Sequence, residues 1–195
     1  MGYWTRFPLQ SISDLYSTNQ LRSNLIYQIR KIRFLGLHSV VEKELEIWLA
    51  DDDQDDCVLF QYALKQIPFQ TQLTIVYNGE QLIEALNKSL KLPDILFLDL
   101  NMPRINGVSC LIEIKKSDRL KPISVIILST SFRQIVVDQL YENGAQYYIR
   151  KPDSLFSLKN QVHLAIRLIQ KNSFSRRSKN QFIIQEPSHL SETTE

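Results

Sequence analysis

The apolar residues of this chain follow two alternating rhythms between residues 44 and 170. Short, nearly unbroken apolar runs alternate with longer stretches in which apolar positions recur every three or four residues. A short run bounded by turn formers reads as a strand buried on both faces, and the three-to-four spacing reads as an amphipathic helix. On this reading strands lie at 45–50, 72–77, 94–99, 123–128 and 146–150. Helix one carries Val58, Leu59, Tyr62, Ala63 and Ile67 as its apolar face, and helix two, opened by Asn78-Gly79, carries Leu82, Ile83 and Leu86. Helix three starts near Gly107 with Val108, Leu111, Ile112 and Ile114. Helix four runs through Val136, Val137 and Leu140, and a last amphipathic helix covers Leu155–Ile169. Ser131 with Gln134 has capping-box spacing at the start of helix four, and Gly144 suits its C′ end. Strands alternating with helices of this length imply right-handed βαβ units and a parallel sheet, so the expected fold is α/β and doubly wound.

The flanks differ from this middle. Residues 1–43 suggest an amphipathic helix through Leu21, Leu25, Ile29 and Ile32, decorated by Arg22, Arg30, Lys31 and Arg33. A solvated or partner-packed helix outweighs a nucleic-acid or membrane-surface role on so weak a pattern. A shorter product would start on a non-Met codon near Val40 or Val41, because the other methionine is Met102. Beyond Lys171 the chain is polar and rich in Ser, Asn and Gln. It is expected to be disordered, with Phe182-Ile183-Ile184 as its one anchor. The expected organisation is an extension over 1–43, a folded domain over 44–170 and a tail over 171–195.

Composition narrows the class. An apolar share of 44% supports a proper core, and no run has the length needed to cross a bilayer. The start lacks the order of a signal peptide, and Arg6 stands where a myristoylation motif wants Ser or Thr. Cys57 and Cys110 fit no metal or redox spacing, which suggests reduced thiols and a cytoplasmic protein. The net charge of +2 hides an asymmetry. Residues 1–43 carry six Lys/Arg against two acids, whereas 44–170 carry thirteen against sixteen, so the folded domain is the acidic part.

The acids gather at strand ends. Strand one delivers Asp51, Asp52 and Asp53, strand three delivers Asp99, strand four Ser129 and strand five Lys151. In a parallel sheet these ends open onto one edge, where open α/β sheets bind ligands. Carboxylates meeting there repel one another unless a cation sits among them, and hard oxygen donors suit Mg²⁺ completed by phosphate oxygens. A lysine and a hydroxyl alongside would bind the remaining phosphoryl oxygens, and one carboxylate could be a nucleophile that forms an aspartyl phosphate. Taken singly, Asp99 could cap a turn, Ser129 could cap a helix and Lys151 could be a solvated charge.

Four segments together resemble the response-regulator receiver domains of bacterial two-component signalling, over roughly Glu44 to Ile169. They are Leu49-Ala50-Asp51-Asp52-Asp53, Leu96 to Pro103 with Gly107, Ile127-Leu128-Ser129-Thr130-Ser131, and Tyr148-Ile149-Arg150-Lys151-Pro152. The resemblance implies a flavodoxin-like five-stranded sheet in the order 2-1-3-4-5. It implies Asp99 as phosphoacceptor, Asp52 and Asp99 as direct Mg²⁺ ligands, Asp51 acting mainly through water, and the backbone carbonyl of Asn101 as a further ligand. Ser129 matches the switch hydroxyl, Lys151 the phosphate-pairing lysine and Tyr148 the aromatic rotamer switch, with Val136, Val137, Tyr141 and Tyr147 near the surface that changes. The Lys151–Pro152 bond is expected to be cis. Ser129 stands where threonine is commoner, and Asp153 where an apolar or aromatic residue is frequent.

The implied function is a single-domain response regulator, a signalling protein rather than a turnover enzyme. Its implied partners are a histidine kinase or histidine phosphotransfer protein and a downstream protein, with no nucleic acid or membrane, as a monomer or homodimer. A haloacid-dehalogenase-like phosphohydrolase would use the same aspartyl-phosphate chemistry. That family wants a second aspartate two residues after the nucleophile, where Asn101 stands, and its nucleophile strand leads the domain. A DNA-binding regulator is the third reading, but 170–195 is too short and polar for a helix-turn-helix.

Overall fold

A computed structural model of the chain describes residues 44–171 and 178–184. Residues 1–43, where the amphipathic helix was expected, lie outside the described residues, as do 172–177 and 185–195. The order is β1 (Leu45–Ala50), α1 (Gln54–Lys65), β2 (Thr71–Val76), α2 (Gly79–Lys88), β3 (Ile95–Leu98), α3 (Gly107–Lys116), β4 (Ser124–Ser129), α4 (Gln134–Glu142), β5 (Tyr147–Arg150) and α5 (Leu155–Lys171). A 3₁₀ turn (Lys179–Gln181) and a sixth strand, β6 (Ile183–Ile184), follow. All strand pairs are parallel, in the order β2-β1-β3-β4-β5-β6. The expected 2-1-3-4-5 sheet is present, and β6 extends it at the β5 edge. Among the described residues no helix is long and apolar enough to cross a membrane.

The central strands are buried on both faces, so their side chains alternate between two cores. Trp48, Leu96, Leu98, Val125, Ile127 and Tyr148 pack on one face with α2, α3 and α4. Ile47, Leu49, Ile95, Phe97, Ile126, Leu128 and Ile149 pack on the other with α1 and α5. Each fully buried Leu, Ile or Phe contributes on the order of 1.5–3 kcal/mol.

The helix ends have local causes. Asp53 caps α1 by accepting the amides of Asp55 and Asp56 at 2.8 and 3.2 Å. Asn78 and Asn106 cap α2 and α3 in the same way, at 2.8 and 2.9 Å. Helix α4 closes in a Schellman motif, with the Gly144 and Ala145 amides on the Tyr141 and Leu140 carbonyls and Gly144 at φ 89°.

Three expectations are corrected. The buried face of α1 is Cys57, Phe60, Ala63 and Leu64, whereas Val58, Leu59 and Tyr62 are exposed. The apolar positions of this helix form two stripes, and the sheet takes the one carrying Phe60, which packs edge-on against Phe97 at 4.8 Å. The capping box is not formed: α4 begins after Arg133 with no side-chain cap, because the Ser131 amide is held by the Ser129 hydroxyl at 3.3 Å. No described peptide bond is cis, so Lys151–Pro152 is trans, the lower-energy state of such a bond. The Lys151 ammonium reaches its partners with that geometry.

The strand order places the ends of β1, β3 and β4 side by side, and glycine makes the closest approach there. The Gly107 amide donates to the Leu100 carbonyl at 3.0 Å, and a Cβ at 107 would overlap the Asp99 carbonyl oxygen. At Gly144 a Cβ has room, the nearest atom being Lys115 Cγ at 3.5 Å, and the cost is that of the left-handed backbone alone. Urea unfolding should therefore show Gly107→Ala destabilised by about 2–3 kcal/mol and Gly144→Ala by about 1 kcal/mol. The reverse order would contradict the packing described.

Candidate functional site

The run of three aspartates after β1 divides by role. Asp51 turns into the sheet edge and is almost wholly buried, its Oδ1 accepting the Asp53 amide at 3.1 Å. Asp52 is exposed, and Asp53 is spent on the cap of α1. Asp99 follows β3 and is buried, with its Oδ2 accepting the Asn101 amide at 2.6 Å. Carboxylate oxygens of Asp51, Asp52 and Asp99 lie within 4.8 Å of one another.

Lys151, just past β5, closes this group. Its Nζ lies 2.7 Å from Asp51 Oδ2, 2.7 Å from Asp56 Oδ2 and 3.2 Å from Asp99 Oδ1. The Lys151 amide also donates to the Ser129 carbonyl at 2.9 Å, fixing the ends of β4 and β5 together. Asp56 is the member that sequence reasoning missed. It lies in the first turn of α1, where an acid suits the helix dipole, and that ordinary explanation hid its reach toward Lys151.

The charges adjust to this crowding. Burial, helped by the Asp99 charge, raises the Asp51 carboxyl from 3.8 to about 6 against the pull of Lys151. For Lys151, burial opposes the ammonium, but hydrogen bonds to Asp51 and Asp56 and the Asp99 charge outweigh it and hold it above the usual lysine range. Both cysteines are free and buried, and burial pushes each thiol up to about 11, so neither is a ready nucleophile.

The remaining sequence-predicted residues fall around this group. Ser129 ends β4 and is fully buried. Asn101 is exposed on the loop after Asp99. Tyr148 is fully buried, and its hydroxyl donates to the Ser131 carbonyl. Of the residues expected near a changing surface, Val137 and Tyr147 are buried, and Val136 and Tyr141 are half-buried.

Comparison with known proteins agrees with the geometry. The family model for the response regulator receiver domain matches residues 47–163, more than half of the chain. A probable methanogenesis regulatory protein, FilR2, of Methanothrix harundinacea is 29% identical over 120 residues, covering 60% of this chain and 77% of that protein. The phosphorylated cyanobacterial phytochrome response regulator RcpA superposes with a TM-score of 0.61 at 28% identity, covering 69% of this chain and 99% of that one. The Mn²⁺-bound response regulator Rcp1 gives 0.59 at 28% identity, with the same coverage. Nothing found supports the haloacid-dehalogenase alternative. With the fold, the acidic edge and the matched segment in agreement, the chain belongs to the response regulator receiver-domain family.

Proposed function

We propose that this protein is a single-domain, cytoplasmic response regulator that accepts a phosphoryl group on Asp99 and signals by phosphorylation-dependent contact with another protein. One observation carries the reading: three carboxylates and Lys151 converge at one sheet edge. The donor set fits a hard divalent cation, because the carboxylates of Asp51, Asp52 and Asp99 crowd together there. These three side chains and the Asn101 carbonyl would hold Mg²⁺. When bound, it neutralises charge on the phosphoryl oxygens. That one neighbour at 28% identity is phosphorylated and another is Mn²⁺-bound supports the reading.

The chain's own groups divide the work. An Asp99 oxygen attacks the phosphorus of a donor phosphohistidine, the P–N bond breaks, and the departing imidazole takes up a proton from solvent. Lys151 leaves its carboxylate partners to pair with the transferred phosphoryl oxygens, and the Ser129 hydroxyl donates to another. The result is a stored acyl phosphate rather than a released product, which makes the chain a signalling protein.

A histidine kinase or phosphotransfer protein has a surface to meet beside this edge. Val58, Leu59 and Tyr62 are exposed on α1, whose first turn carries Asp56. An apolar patch next to a reactive group is a partner surface more often than chance. Among motility, phosphorelay and light signalling, the phytochrome regulators among the neighbours favour light signalling.

Two outcomes test this reading. Acetyl phosphate with Mg²⁺ should add one phosphoryl group to the wild type and none to Asp99→Asn, by intact mass. Undiminished labelling of the variant would reject Asp99. For the metal, Asp52→Ala should keep the fold and weaken Mg²⁺ binding about tenfold or more in a calorimetric titration. Unchanged affinity would remove Asp52 from the ligand set.

The raised Asp51 carboxyl adds a pH test. Its folded-state value lies above its ordinary one, so its stabilising contribution is full below about 3.8 and is lost as pH rises through about 6. Without metal, the stability difference between wild type and Asp51→Asn should shift against the wild type from pH 4 to pH 7. Stabilisation of the wild type by Mg²⁺ should grow over the same range, since the cation needs the ionised carboxylate. Thermal melts with a flat difference across that range would contradict the burial of this group.

A further inference from the structure

Strand β6 lies where the sheet would otherwise end at β5, with Tyr148 paired to Ile183 and Ile149 to Ile184. The Tyr148 amide donates to the Phe182 carbonyl at 2.9 Å. The Phe182 side chain is buried in the same core as Tyr148, in contact with two rings. Its centroid lies 5.4 Å from that of Tyr141 on α4, edge to face, and 6.5 Å from that of Tyr148. On another side Tyr148 meets Phe132 at 5.9 Å, also edge to face. Lys179 ties the preceding turn to α4 through Asp138 at 2.8 Å.

These contacts bear on how Tyr148 can move. A tyrosine on an edge strand has open space beyond it into which its ring can rotate. Here Phe182 fills that space, and the Tyr148 hydroxyl is already engaged with the loop after β4. Rotation of Tyr148 toward the sheet edge would bring its ring against Phe182, whose centroid is 6.5 Å away.

We propose that Phe182, carried by β6, is a positioning residue that locks Tyr148 in its buried rotamer before any phosphoryl group arrives. The proposal rests on the reading of Tyr148 and Ser129 as the switch pair of this domain. A lock of this kind keeps the phosphorylation-competent arrangement populated in advance, so less binding energy goes into reorganisation.

The test uses the full chain labelled with 3-fluorotyrosine, with the Tyr148 ¹⁹F signal assigned from its loss in Tyr148→Phe. Exposure of each ring is read from broadening by a soluble nitroxide, first without Mg²⁺ or any phosphoryl group, so that this stage is independent of Asp99. In the wild type the Tyr148 signal should be single and shielded. In Phe182→Ala it should double or become at least about tenfold more sensitive to the nitroxide. Phe182→Leu, which restores most of the volume, should return it toward the wild type. Lys179→Ala, which loosens the turn without touching the core, should give an intermediate effect. A folded Phe182→Ala with an unchanged shielded signal overturns the lock. If Phe182→Ala does not fold, Lys179→Ala decides: raised sensitivity supports the lock, and an unchanged signal overturns it.

A second stage adds beryllofluoride with Mg²⁺. Phe182→Ala should bind it about two- to tenfold more weakly, in proportion to the competent fraction lost. Equal affinity with a freed Tyr148 would mean that the ring is held but not coupled, which also overturns the proposal. A wild type that binds no beryllofluoride would instead reject the phosphoacceptor reading, while the first stage still reports on the ring.

Discussion

The arrangement depends on mutual repulsion among carboxylates at one edge of a parallel sheet. Asp51, Asp52 and Asp99 come within 4.8 Å of one another, and Asp56 joins from the first turn of α1. Lys151 reaches three of the four, so the edge is held by one ammonium with negative charge to spare. The Asp51 carboxyl is raised chiefly by its burial at this edge, with the Asp99 charge adding to it. Hard oxygen donors crowded in this way suit a divalent cation. The fold provides the site through its strand order: β1, β3, β4 and β5 are neighbours, so residues far apart in sequence meet at their ends.

The far side of β5 supplies the second constraint. An edge strand leaves its backbone and outer side chains open, and this chain covers that edge with its own β6. The aromatic residues Phe132, Tyr141, Tyr148 and Phe182 then form a connected set from the loop after β4, across α4 and β5, to the C-terminal strand. A charge event at Asp99 would act on a segment already packed from both sides.

Much of this was legible in the sequence, for physical reasons. The central strands stood out because burial on both faces demands unbroken apolar runs, and turn residues mark their ends. Asp51, Asp52, Asp99, Ser129 and Lys151 were findable because each follows or ends such a run. The face of α1 was not, since apolar positions on both sides of a helix leave its rotation undetermined, and Val58, Leu59 and Tyr62 proved to be outside. Asp56 was hidden by its plausible place in a helix's first turn. Phe182-Ile183-Ile184 stood out as the tail's anchor because it is the apolar group in a polar stretch. A two-residue strand is too short for any period, however, so its pairing with β5 and the place of Phe182 beside Tyr148 were not legible. The Ser131 cap failed because the Ser129 hydroxyl and Tyr148 had prior use of that loop's backbone.

The central claim is that one of these crowded carboxylates, Asp99, becomes the acyl phosphate. Reductive trapping tests it at the level of the atom: borohydride converts an aspartyl phosphate to homoserine, and peptide mass spectrometry locates the change. After reaction with a phosphodonor and Mg²⁺, homoserine is predicted at position 99 and at no other aspartate. Homoserine at 51, 52, 53 or 56, or phosphate stable to reduction on a different side chain, would contradict the account.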